Sequence, residues 1–287
     1  MNKYWVWISR IKGLKFKNLE EILKTSKTIK NIWNMEKQDL EKIDGLNKKI
    51  IEEILNIEYR ENLENYIYYM EKNNIKMINI YDTKYPLNLK NIYDPPIVLY
   101  IKGNENILNE FGIGIIGCRM CSKYGELTSK MFAGALQKYK VNVISGLARG
   151  IDSCAHIGTL DAKGKTIAVV GTGLDIIYPK ENDKLAKRII ENEGAIISEY
   201  IVGTKPEKEN FPARNRIISG LASGILVVEA KEKSGTFITV DFALEQGKSV
   251  FAIPGNIYNI TSKGTNELIK QGAKIVTNVE DIIEEYL

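Results

Sequence analysis

Five stretches of the chain gather arginine, lysine, asparagine, glycine or hydroxyl side chains downstream of an apolar run. They are Gly117-Cys118-Arg119, Ser145-Gly146-Leu147-Ala148-Arg149-Gly150, Tyr178-Pro179-Lys180-Glu181-Asn182, Phe211-Pro212-Ala213-Arg214-Asn215-Arg216 and Ser234-Gly235-Thr236. The chemistry they share is anion binding, phosphate above all. An arginine fork makes paired, charge-assisted hydrogen bonds to phosphate oxygens. Gly117 and Gly146 let the backbone turn tightly, and a helix start at Ser234-Gly235-Thr236 offers N–H and hydroxyl groups. Tyr178 and Phe211 add flat faces on which a base can stack, the mixture a phosphate-tracking groove needs. Each stretch also has a plainer reading. The arginines, Arg216 above all, close a sheet edge through ion pairs, and Ser234-Gly235-Thr236 simply caps a helix.

Other chemistry has thinner support. His156, the only histidine, falls one helical turn beyond Asp152, within reach of an Asp–His pair. No nucleophile at motif spacing accompanies it, so a structural histidine is expected and no catalytic residue is assigned. Cys118, Cys121, Cys154 and His156 make up a Cys₃His set, but Cys154 and His156, two apart on a helix, point apart. Incidental buried cysteines are expected, and no metal. Gly112-x-Gly114-x-x-Gly117 matches the dinucleotide fingerprint, yet its first two glycines fall inside an apolar run instead of the turn. The second strand then ends in Ser145-Gly146-Leu147-Ala148-Arg149, where an acid should hold the ribose. No cofactor is expected.

A parallel sheet is what brings such loops to one edge. From Gly112 onward the chain alternates apolar runs with amphipathic stretches, the pattern of a doubly wound α/β domain. Expected strands are 112–116, 141–145, 166–170, 195–198, 225–228, 250–253 and 274–276. Expected helices are 122–139, 150–162, 182–192, 213–222, 236–246, 264–271 and 279–286. The strands are too uniformly apolar for a one-sided sheet, so helices should cover both faces. Two earlier runs, 75–80 and 97–101, read as strands that extend this sheet, with proline turns between them. Residues 73–287 are therefore expected to form one α/β domain, and residues 1–72 a separate helical one.

Within the helical part, Ile11–Leu23 and Ile43–Leu55 are identical at eight of thirteen positions. Each copy reads as an Ile-x-Gly-Leu turn opening a helix, similar to a pair of helix-hairpin-helix units that present backbone N–H groups to phosphate. A second glycine is usual in that turn; Lys15 and Asn47 replace it, and lysine adopts a left-handed backbone less readily than asparagine. A helical bundle that merely packs is the other reading.

The net charge is only +4, so any nucleic-acid surface must be a local patch. Three cysteines are too few for a disulfide scaffold. No apolar run approaches a membrane span, and the start, Met1 to Trp7, is too short and aromatic for a signal peptide. A cytoplasmic protein with no membrane partner is expected.

Taken in order, Asp82-x-x-Tyr85-Pro86, Asp94-Pro95-Pro96, Gly117-Cys118-Arg119, Ser145 to Asp152, Gly173-Leu174-Asp175 with Tyr178-Pro179, Phe211 to Arg216 and Ser234-Gly235-Thr236 resemble the DprA/Smf family of DNA-processing proteins. The resemblance implies an extended Rossmann-like domain behind an N-terminal helical domain of helix-hairpin-helix or SAM-like type. It implies a protein that binds and protects single-stranded DNA and loads the RecA recombinase in natural transformation. It also implies a homodimer, no catalytic activity, and Arg119 and Lys180 as the residues that contact DNA. Cys118 stands where the family commonly has serine. Many members add a C-terminal winged helix, and none is expected here. Two other readings remain. The fold also resembles nucleotide phosphoribohydrolases, of whose signature Ser234-Gly235-Thr236 and Glu229 are left. In the other, the protein is chiefly an adaptor that docks RecA.

Overall fold

The computed structural model describes residues 2–286. Among them, one nine-stranded sheet forms the centre. Its strands are β1 (Ile75–Asn79), β2 (Val98–Gly103), β3 (Gly112–Ile116), β4 (Asn142–Ser145), β5 (Thr166–Val169), β6 (Ala195–Ser198), β7 (Gly224–Val227), β8 (Ser249–Ala252) and β9 (Lys274–Ile275). They lie in the order β1-β2-β6-β5-β4-β3-β7-β8-β9. The run from β6 to β9 is parallel throughout. β2 joins β6 antiparallel, and β1 joins β2 likewise, so the two early strands do extend the sheet.

Helices cover both faces, as the apolar strands require. Ile113, Ile115 and Val143 pack with Phe132, Leu136 and Ala155 from helices Lys123–Leu136 and Ile151–Asp161. The alternate residues, Ile116 and Ile144, pack with Ile217, Leu221 and Val240 from helices Asn210–Leu221 and Thr236–Glu245. Alternation along each strand produces this division. Gly112 and Gly114 lie inside β3, and a Cβ on Gly114 would come within 2.3 Å of Ile225 Cδ1. These glycines make room for neighbouring strands and leave the turn to Gly117, as their place in the apolar run implies.

Residues 2–72 contain six α-helices, the longest Phe16–Ser26, Lys48–Leu55 and Leu63–Lys72. Both repeat copies form the expected turn: Gly13 and Gly45 have φ of 76° and 82°, with helices starting at Phe16 and Lys48. Lys15 and Asn47 are extended, with φ of −96° and −87°, so neither position asks for a left-handed backbone. Asn18 Nδ2 donates to the Gly45 carbonyl at 3.1 Å and joins the two units. The core under these helices includes Trp7, Leu19 and Ile54 and runs on into Tyr100, Ala168 and Ile196. No helix among the described residues is long and apolar enough to cross a membrane.

Candidate nucleic-acid interface

β4 follows β3 on one side of the sheet and β7 flanks β3 on the other. At such a switch point the outgoing loops part and leave a crevice beyond the strand ends. The crevice here is a cleft of about 710 Å³. Gly117 begins one wall. A Cβ there would sit 2.7 Å from Ile151 Cγ1 and 2.8 Å from the Glu229 carbonyl oxygen, so only glycine lets the loop lie this close. The next residue is pinned from both sides: Cys118 N–H donates to Glu229 O at 2.9 Å, and Ile151 N–H donates to Cys118 O at 3.2 Å.

That anchorage delivers Arg119 to the cleft, with its guanidinium 5.8 Å from the centre of the Phe211 ring. Tyr178 stands 5.5 Å from Phe211, the rings tilted by 43°. A guanidinium and two aromatic rings in sequence offer one phosphate grip and stacking faces beside it. Lys208, Lys231 and Ser234-Gly235-Thr236 complete the rim. Among the described residues no carboxylate pairs with Arg119, Lys208 or Lys231. Their charge faces open space.

Beneath the cleft lie two buried groups of opposite charge, Arg214 and Asp152. Arg214 Nη1 donates to Gly146 O at 2.7 Å and to Val169 O, tying the ends of β4 and β5 together. Asp152 accepts from the N–H groups of Gly146 and Ala148 at 3.2 and 3.4 Å. Burial lowers the Arg214 guanidinium to about 10 and raises the Asp152 carboxyl, while the attraction between the two opposes both shifts. A Cβ on Gly146 would fall 2.7 Å from both Arg214 Nη2 and Asp152 Oδ2. This glycine therefore makes room for both buried groups.

The candidate residues separate accordingly. Gly117, Arg119, Phe211, Arg214, Asn215, Ser234, Gly235 and Thr236 line the cleft. Arg149 and Gly146 line a smaller adjoining pocket that shares Arg119, Tyr178 and Phe211. Others turn away from the phosphate-facing role. Ser145 is fully buried, its hydroxyl donating to Ile115 O at 2.6 Å. Asn182 is also buried and donates to Leu147 O at 2.8 Å and Ser153 Oγ at 3.0 Å, holding the loop after β4. Arg216 grips Glu199 through two 2.7 Å bonds and donates to Asp94 O at 2.9 Å. It lines a different cavity, beside Lys15 and Phe16. Lys180 is exposed and outside the cleft lining.

The other candidate chemistries are engaged internally. His156 is buried, and Thr166 donates its hydroxyl to Val143 O at 2.6 Å. The 2.7 Å contact between His156 Nδ1 and Thr166 Oγ1 therefore assigns the imidazole proton to Nδ1. Burial, followed by the charge of Arg214, pushes the imidazole down to about 3, so it is neutral. Asp152 is committed to its amides and Arg214, and makes no pair with this histidine. Cys121 and Cys154 are free thiols, and burial pushes Cys154 up to about 11. The Glu229 carboxylate, 1% exposed, accepts from Ser122 N–H at 2.8 Å, Ser122 Oγ at 2.6 Å and Thr261 Oγ1 at 2.9 Å. It fastens the start of the helix that follows Arg119 and is not in the cleft lining.

The sequence profile of the DNA recombination-mediator protein A family matches residues 76–287. The chain belongs to that family. The DNA processing protein DprA of Streptococcus pneumoniae is 46% identical over 208 residues, 72% of this chain and 73% of its own length. The X-ray structure of DNA processing protein A from Streptococcus pneumoniae superposes with a TM-score of 0.82 at 35% identity, covering 100% of this chain and 99% of that one. A structure of DNA processing protein A from Helicobacter pylori, described for its single-stranded DNA binding mode, gives 0.66 at 30% identity over 74% of this chain and 94% of its own.

Every wall of the cleft falls within the stretch matched to the recombination-mediator family. Sequence reasoning missed Lys208 and Lys231. Both sit in mixed-sign runs, Lys205-Pro206-Glu207-Lys208-Glu209 and Lys231-Glu232-Lys233, and such runs ordinarily read as solvated loops. The available signal was spacing: Lys208 comes three residues before Phe211, and Lys231 comes four residues after Val227, the end of β7.

Proposed function

We propose that the cleft holds a single strand of DNA. Arg119, Lys208 and Lys231 take successive phosphates, and a base stacks against Phe211 and Tyr178. The observation that carries this reading is the unpaired Arg119 guanidinium set 5.8 Å from the Phe211 ring at the cleft wall. The single-stranded DNA binding mode described for the Helicobacter pylori relative supports it. A stacking platform flanked by cations is tolerant of sequence, which suits a protein that meets arbitrary strands. As a recombination mediator, the protein protects incoming DNA and passes the strand to a RecA recombinase, acting as a homodimer in the cytoplasm during natural transformation. Glu229, the candidate catalytic acid of the enzyme reading, is buried among three donors, and no observation favours that alternative.

The test is fluorescence anisotropy of a labelled oligothymidylate and of a duplex across a salt series. The wild type is expected to prefer the single strand. Arg119→Ala with Lys208→Ala is expected to weaken binding and to flatten the log–log salt slope by about 1.4, two phosphates at about 0.7 each. A folded double variant with unchanged affinity and slope overturns the reading.

A further inference from the structure

One charged contact on the cleft's margin has the form of a ligand contact. Arg149 donates from Nε to Glu181 Oε1 and from Nη2 to Oε2, both at 2.8 Å. Two parallel bonds from one edge of a guanidinium are also the geometry with which arginine takes two phosphate oxygens. Arg149 lines the small pocket that shares Arg119, Tyr178 and Phe211 with the main cleft. A strand lying along Arg119 and Tyr178 therefore runs toward it.

The pairing is built into the backbone. Asn182, adjacent to Glu181, is buried and donates to Leu147 O at 2.8 Å, two residues before Arg149. It also reaches Ser153 Oγ at 3.0 Å, on the helix that follows Arg149. The two segments are thus held in register, and the carboxylate is presented to the guanidinium. Both side chains remain more than half exposed, at 61% and 54%. An exposed pair of this kind is weak and screened by salt, so an anion of matching shape can exchange with it. Arg214 and Arg216 differ in this respect, because Arg214 is held by buried backbone carbonyls and Arg216 by a backbone carbonyl and a carboxylate that are largely shielded from solvent.

We propose that Glu181 is a resident carboxylate occupying a further phosphate site at Arg149, and that a phosphate of the bound strand displaces it. This rests on the reading of the cleft as a single-strand site. In the free protein the latch keeps Arg149 neutralised and correctly placed. In the complex Arg149 takes a phosphate beyond the Phe211–Tyr178 platform, and Glu181 swings to solvent. A base or nucleoside without phosphate has nothing with which to open it.

The experiment is a double-mutant cycle on the full chain with Glu181→Gln, Arg149→Gln and the pair, read by anisotropy of a labelled oligothymidylate over a salt series. Glu181→Gln keeps shape and removes charge. It is expected to tighten binding roughly two- to fivefold at low salt, the scale of one exposed ion pair. It is also expected to steepen the salt slope by up to about 0.7, the increment for one phosphate. In the Arg149→Gln background the same change should do neither. An equal gain in both backgrounds is a remote charge effect and overturns the latch, as does no gain when Arg149 is present. Unchanged thermal unfolding of Glu181→Gln confirms that the comparison is between folded proteins. A wild type that binds no strand takes down the reading of the cleft itself, and the latch with it.

Discussion

Arg214 donates to the carbonyl oxygen of Gly146 at 2.7 Å, so the helix after β6 is tied to the loop after β4 directly beneath the cleft. Gly146 is the residue whose missing side chain makes room for both Arg214 and Asp152. The floor of the candidate interface is therefore two buried, oppositely charged groups and their backbone partners.

Removing one member of that pair should damage the fold before it damages binding. Arg214→Met leaves the Asp152 carboxylate buried without its counter-charge, a situation that costs about 3–5 kcal/mol. Urea denaturation should show a lower midpoint by that measure. Arg214→Met combined with Asp152→Asn should recover part of the loss, because the uncompensated charge is gone. A single variant as stable as the wild type contradicts the assignment.

Phe211 and Arg119 should separate in the salt dependence of strand binding. Phe211→Leu removes a stacking face, worth about 1–3 kcal/mol of affinity per base, and leaves the phosphate contacts in place. Its salt slope should match the wild type. Arg119→Gln should lose affinity together with about 0.7 of slope. If both variants shift the slope equally, the two residues do not have distinct roles.

The sheet was largely legible in the sequence because its central strands are covered on both faces. β3 and β6 have the expected bounds, and the other parallel strands differ by a single residue at either end. The order of the strand-end loops followed from that. The division of labour among the arginines did not. Sequence alone started the helix at 213, whereas it starts at Asn210, which carries Phe211 and Pro212 into its first turn. Arg214 and Arg216 then sit two residues apart on a helix and point to different sides. One lies under the cleft and the other in a separate cavity. Burial of Ser145 and Asn182 depends on how the loops fold back over the strand ends, and no local pattern carries that information.

Arg216 provides a contrast with the cleft residues. Its paired bonds to Glu199 and its bond to Asp94 O join three segments of the chain. Arg216→Gln should lower stability by up to about 3 kcal/mol, the lower end of the cost of breaking a fully buried pair, because this pair is only part-buried, and leave the salt slope of strand binding unchanged under conditions where the variant is folded. A reduced slope without a stability loss would return this residue to the interface.

His156 makes stability depend on pH in a definite window. Its imidazole ordinarily titrates near 6.5 and is pushed down to about 3 in the folded protein by burial and then by Arg214. Between those values the unfolded chain binds a proton that the folded chain refuses, so stability falls as pH falls from 6.5 toward 3. At pH 5 the loss from this residue is about 2 kcal/mol, at about 1.4 kcal/mol for each pH unit. Other groups titrate in the same range, and a variant isolates this one. His156→Gln cannot take up the proton, so its unfolding free energy should change less between pH 7 and pH 5 than that of the wild type, by that amount. The variant also loses part of the packing around Thr166, which lowers its stability at every pH, so the difference in slope is the diagnostic quantity. Parallel stability curves for the two proteins would mean that the imidazole is protonated in the folded state, contrary to its burial against Thr166.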